Sequence, residues 1–185
     1  MGLFGSKSSS SGTSGGSSSG GSFSSGPVDA VSMREAFTRY LDQKDFKYVV
    51  IDKEDNIVAM TFGGSRYDTF VLTDFDEGAT CDSVHFSSQH FAKCSKDKLP
   101  QVIIKLNELN RRFRWVKTWV DEEGQLTADS DALVSVGTVG PECLQIIIRF
   151  SNILEDILEA LEGYAEPDEE TANAVKMAML IAKMS

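Results

Sequence analysis

The chain is poor in positive charge. Its 185 residues hold 18 lysines and arginines against 28 aspartates and glutamates, a formal net charge of −10. Neutralising a phosphate backbone needs a basic face, so this balance argues against general nucleic-acid binding. It argues equally against adsorption to anionic lipid head groups, and suits basic or polar protein partners. Long apolar runs are missing too. A stretch such as "IIIRF" from Ile146 is far too short to span a bilayer. Cysteine is scarce: Cys81, Cys94 and Cys143 are odd in number and form no C-x-x-C pair. That points to reduced thiols and a cytoplasmic setting rather than a disulfide framework. No G-x-S-x-G elbow, phosphate-binding loop or dinucleotide fingerprint occurs, so no catalytic residue and no cofactor is expected.

What is present begins with a tail. Residues 1–26 form a Gly/Ser tract with almost nothing to bury, and the reading is a disordered spacer. It lacks the apolar stretch of a secretory signal. Gly2 with Ser6 fits the N-myristoylation pattern. Acylation of Gly2 would give weak, reversible membrane contact, and membrane binding is expected only in that case.

Residues 27–163 read as one domain and 164–185 as a C-terminal helical extension. Val28, Val31, Met33, Phe37, Tyr40 and Leu41 give helical spacing after Pro27. "FKYVVI" from Phe46, "IVAMTF" from Ile57 and Tyr67 to Phe75 read as strands, with "DKEDN" as a turn. Cys81 to Phe86 reads as a fourth short strand or an irregular edge. Leu99, Val102, Ile103, Leu106, Leu109 and Phe113 fall on one face of a second helix, with Asp97 as its N-cap. Trp115 to Val120 and Gln125 to Val136 form a hairpin about "DEEG". Gly140-Pro141 opens a third helix with Leu144, Ile147, Ile148, Leu154, Ile157, Leu158 and Leu161 as its stripe, ending at Gly163. Pro167, Glu169 and Glu170 start the last helix. The order α-β-β-β-α-β-β-α plus a C-terminal helix implies an α+β fold with an antiparallel sheet flanked by helices.

The stretch "LNELNRRFRWVKTWVDEEGQL" from Leu106, the hairpin "FKYVVIDKEDNIVAM" and the helix "VGPECLQIIIRFSNILEDIL" occur in the order of a known family. From about Val28 to Leu161 the chain resembles the YbjN domain family of bacteria. Asn107 and Asn110 match the family's helix end. The resemblance implies a fold like that of type III secretion chaperones, small acidic proteins that dimerise and hold partner polypeptides. It also implies a role in sensory-transduction regulation. The family carries no catalytic residue set.

Three clusters are candidate sites. Arg111, Arg112 and Arg114 sit beside Trp115 where a helix hands over to a strand. Cations there complement the helix carbonyls, which is the leading reading, and the alternative is contact with an acidic partner segment. Cys81, His85, His90 and Cys94 are four ligand types that zinc accepts. If Cys81 and His85 share one strand, however, about 13 Å separates them at ~3.3 Å per residue. Met177, Met179 and Met184 give the last helix an adaptable apolar face for a partner or a dimer mate. The carboxylates of "DFDE" and "DEEG" read as solvated turns. The function expected is a non-enzymatic protein- or peptide-binding regulatory or chaperone-like module, a homodimer. The competing readings are a membrane-tethered regulator and a small zinc protein.

Overall fold

The computed structural model describes residues 29–52, 56–64, 66–75 and 83–182, without the side chains of Met179 and Ala182. The Gly/Ser tract, Gly2, Cys81 and Met184 lie outside these residues.

Four helices and seven strands follow in the order α1 (Ala30–Gln43), β1 (Val49–Asp52), β2 (Ile57–Gly63), β3 (Asp68–Phe75), β4 (Ser83–Lys93), α2 (Leu99–Arg112), β5 (Lys117–Val120), β6 (Gln125–Leu133), α3 (Val139–Ala160), β7 (Glu166–Pro167) and α4 (Glu169–Ala182). All pair antiparallel into one sheet of order β1-β2-β3-β4-β6-β5, with β7 added to β4. The fold is α+β, as the element order predicts.

Alternation assigns each residue to a face. The inner face carries Val58, Met60, Val71, Phe75, Val84, Phe86 and Ala128, all buried in the main core. α1 contributes Met33, Phe37 and Leu41, and α3 contributes Ile147, Phe150, Leu154 and Ile157. The Phe37 and Phe75 rings tilt together at 5.7 Å. Thr69 and Ser151 share a buried hydroxyl bond of 2.5 Å that joins β3 to α3. Asp29 caps α1: its Oδ1 accepts the Ser32 N–H at 2.6 Å, which holds its carboxyl below the usual range. Gly140 lets α3 approach α1, since a Cβ there would sit 2.4 Å from the Tyr40 ring.

The outer face is covered on one half only. Its central row runs Val49, Ala59, Leu72, Ser87, Asp129 and Lys117 across six strands. α4 crosses the first part of this row, packing Val175 with Val49, Ala59 and Leu72, while Lys176 pairs with Asp68. α4 reaches as far as β4, and beyond it the outer side chains of Trp119, Asp131 and Leu133 are exposed.

Several expectations need correction. The segment after Cys81 is not a short or irregular edge. β4 is eleven residues long and central, bonded to β3 and β6. Its small polar residues Ser87 and Ser88 are buried, so its composition conceals its position. Lys98, not Asp97, occupies the N-cap of α2, and no side chain bonds there. Val31, Ile103 and Ile148 point outward rather than into the core. The C-terminal extension opens with a strand: Ala92 pairs with Pro167 and Lys93 with Glu166, a position proline tolerates at a strand end. No described helix is long and apolar enough to cross a membrane.

Candidate functional site

The sheet has one guarded border and one open step beside it. β5 is the border strand next to β6. The Asn110 side chain lies along its outer edge. Asn110 Nδ2 donates to the Thr118 carbonyl at 2.8 Å, and the Thr118 N–H donates to Asn110 Oδ1 at 2.8 Å. One amide thus copies the two bonds a neighbouring strand would make. Lys117 Nζ adds a bond to the Asn110 carbonyl. An edge closed in this way cannot take another chain at Thr118.

The same bonds fix the polarity of β6. Because Thr118 turns its backbone groups outward, its opposite number Ala128 is in a non-hydrogen-bonded pair. Thr127 and Asp129 therefore face β5 with N–H and C=O. By alternation so do Asp131 and Leu133. β5 pairing, however, stops at Lys117 opposite Asp129. On its other side, β6 remains bonded to β4 as far as Leu133. The Asp131 and Leu133 backbone groups thus border a place with no strand in it among the described residues.

The loop from α2 to β5 forms the wall of that place. Arg114, Trp115, Ser130, Asp131, Ala132 and Ile146 enclose a hollow of about 320 Å³. Trp115 is 55% exposed although it is a tryptophan. The Arg149 guanidinium of α3 lies 5.1 Å from the ring centroid, a cation–π contact that orients it. Leu133, at the end of the step, is 77% exposed.

The outer side of the step is acidic. His85 on β4 lies opposite Asp131, and its Nδ1 is 2.8 Å from Asp131 Oδ1. Its Nε2 is 3.5 Å from Asp129 Oδ1. Trp119 Nε1 donates to Asp129 Oδ2 at 2.6 Å, which leaves its half-exposed ring lying on the bare sheet. The site thus has backbone groups along one line, apolar surface on one side and carboxylates on the other. Backbone groups in such a line are of the kind that an extended chain pairs with.

The predicted residues separate into groups. Arg114 and Trp115 line the hollow. Arg111 and Arg112 stand in the last turn of α2, where they complement its carbonyls, and Arg112 also lies over the Phe113 ring. Met177 is exposed on α4 beside Leu180 and Ile181. α4 covers the β1–β3 half of the outer face, so the structure does not bring the methionine helix to the arginine loop. His85, His90 and Cys94 are strung along β4 and its end. His85 and His90 lie on either side of the start of a register shift in β4, where His90 takes a φ of 51°, and His85 is taken up by Asp129 and Asp131. Among the described residues no three metal-ligand side chains cluster. Burial is the first cause of a raised Cys94 thiol pKa, with the Asp121 charge adding to it. Asp121 does serve a turn: its Oδ1 accepts the N–H groups of Glu123 and Gln125. The residues the sequence reading missed are Asp129, Asp131, Trp119 and Ile146. Alternation in "QLTADSDAL" puts both aspartates on one face, and that signal was available.

A second cleft, of about 410 Å³, opens where β3 parts from β4 beneath α4, with Phe70, Phe91 and Leu158 as its apolar walls. Four of its charged side chains are bonded within the fold, and a fifth, Glu169, opens α4. Arg66 pairs with Glu162, Lys176 with Asp68, and Asp168 caps α4 by accepting the Glu170 N–H.

Comparison with known proteins adds the following. The family model YbjN, described as "Putative bacterial sensory transduction regulator", matches residues 34–162. A solved structure, "Crystal structure of YbjN, a putative transcription regulator from E. coli", is similar at 15% identity, with a TM-score of 0.49. The likeness covers 72% of this chain and 95% of that chain. No curated protein matches.

Proposed function

The chain belongs to the YbjN family, and from that premise we propose that it is a regulator that works by holding a protein or peptide partner, without catalysing a reaction. The observation that supports this reading is the open step on β6 with a half-bare tryptophan, Trp115, beside it. Exposed aromatic anchors in a hollow are the usual energetic centres of binding surfaces. The net charge of −10 adds selectivity and association rate for basic partners. A chaperone-like action follows if the partner segment is one that folds or is delivered later. The setting is cytoplasmic. A homodimer would form through the exposed α4 stripe of Met177, Leu180 and Ile181.

The test is selection of a displayed random-peptide library on the full chain, with affinities of the enriched peptides measured by calorimetry. Enriched peptides should bind the native chain and lose about tenfold or more in affinity to Trp115→Ala. Failure to enrich any peptide, or enrichment indifferent to Trp115→Ala, would remove the reading.

A further inference from the structure

We infer that the segment held at the β6 step is a β-strand of alternating basic and apolar residues, bound by backbone pairing with Asp131 and Leu133. This rests on the binding reading above and names the chemistry of the partner. Three observations carry it. First, the alternation set by the Asn110–Thr118 bonds turns the N–H and C=O of Asp131 and Leu133 toward the vacant side of β6. An added strand would find two donors and two acceptors at strand spacing. Second, residues of that strand opposite Asp131 and Leu133 would lie on the outer face. There they meet Asp131, whose side chain is 74% exposed, with Asp129 and His85 next to it. Lys117 is directed to the Asn110 carbonyl, and the side chains that meet these carboxylates are the His85 ring and, at Asp129, the Trp119 N–H, so a lysine or arginine on the incoming strand would add a permanent cation. Third, the intervening residues would point inward, against Trp115, Ala132 and Ile146 in the hollow, where the Arg114 charge disfavours a second cation. Aliphatic side chains fit that wall.

A second copy of this chain is the poorer occupant. Pairing β6 with β6 across a two-fold axis would bring both Asp131 carboxylates onto one face with only the His85 rings beside them, whereas a basic strand brings permanent cations. The charge pattern therefore favours a basic strand over a self-pair.

The experiment uses the full chain and three capped six-residue peptides. One alternates valine with lysine, one alternates valine with glutamate, and one is the lysine peptide N-methylated on the amides that would face β6. Calorimetry gives affinity, and amide hydrogen exchange locates the contact. The lysine peptide should bind and slow exchange at Asp131 and Leu133. The glutamate peptide should bind at least about tenfold more weakly. N-methylation should abolish binding, and Asp131→Lys should reverse the charge preference. Equal binding of the N-methylated peptide, equal binding of the glutamate peptide, or protection confined to β1 or α4 overturns the inference. So does concentration-dependent protection of Asp131 and Leu133 without peptide, which would mean that a second copy sits there. If library peptides bind through Trp115 while the lysine peptide does not bind, only the strand chemistry fails. If neither binds, the binding reading fails as well.

Discussion

β5 and the end of β6 are neighbours with opposite fates. Both present strand edges at the same border of the sheet. At β5 an asparagine side chain supplies both missing bonds. At β6 the sheet continues after β5 has stopped, and among the described residues no side chain closes the gap. Unprotected edges invite other chains, and folded proteins ordinarily cover or charge them. The chain closes one edge and leaves the adjacent one open beside an exposed tryptophan.

The strongest way to break the contrast is to strip β5 from β6. Gly124 turns their hairpin with φ of +86°, and a Cβ there would lie 2.2 Å from the Cys94 carbonyl oxygen. Gly124→Ala should cost about 2–4 kcal/mol of stability in chemical denaturation. It should also increase aggregation, because all of β6 becomes an open edge. Next, Asn110→Ala should remove the guard alone, at about 1–3 kcal/mol, since the Thr118 groups lose both partners. Hydrogen exchange should then rise at the Thr118 amide while the hairpin persists. A smaller effect on stability, within about 1 kcal/mol, is expected for Trp115→Ala, because the ring is largely outside the core. Its peptide affinity should nevertheless fall about tenfold, so denaturation and calorimetry would move independently.

The least change at neutral pH should come from the core that both edges share. Burial, and secondarily the Glu142 charge, push the Cys143 thiol from 9.0 up to about 12. The folded chain keeps its proton where the unfolded chain has lost it. This contribution to stability is complete below pH 9 and is lost as pH rises toward 12. Denaturation between those values should show a steeper decline for the native chain than for Cys143→Ala. An equal decline would refute the assignment.

Much of the architecture was legible in the residues because period and punctuation agreed. The stripes of α2 and α3 and the "DEEG" hairpin needed no tertiary knowledge. What escaped had a physical reason. β4 buries Ser87 and Ser88 in the middle of the sheet, where apolar residues are the usual signal. β7 consists of Glu166 and Pro167, residues that argue against a strand on propensity alone. Arg114 and Trp115 were legible as neighbours at the handover from α2 to β5, and they line the hollow. The vacancy beside them was not, because it depends on where β5 stops relative to β6, and register is a property of two strands together. The zinc pattern "C-x3-H-x4-H-x3-C" read well as spacing, but among the described residues its members do not gather into a cluster of three ligands.

The Asn110 clasp also has a history in time. Its partners are 8 residues apart in the chain, so its loop closes at little entropic cost. The Lys176–Asp68 pair that fastens α4 spans 108 residues. Contacts so distant are paid for late in assembly. The border strand can therefore be sealed while the rest of the sheet is still gathering, and the growing sheet need never expose that flank to a neighbouring nascent chain.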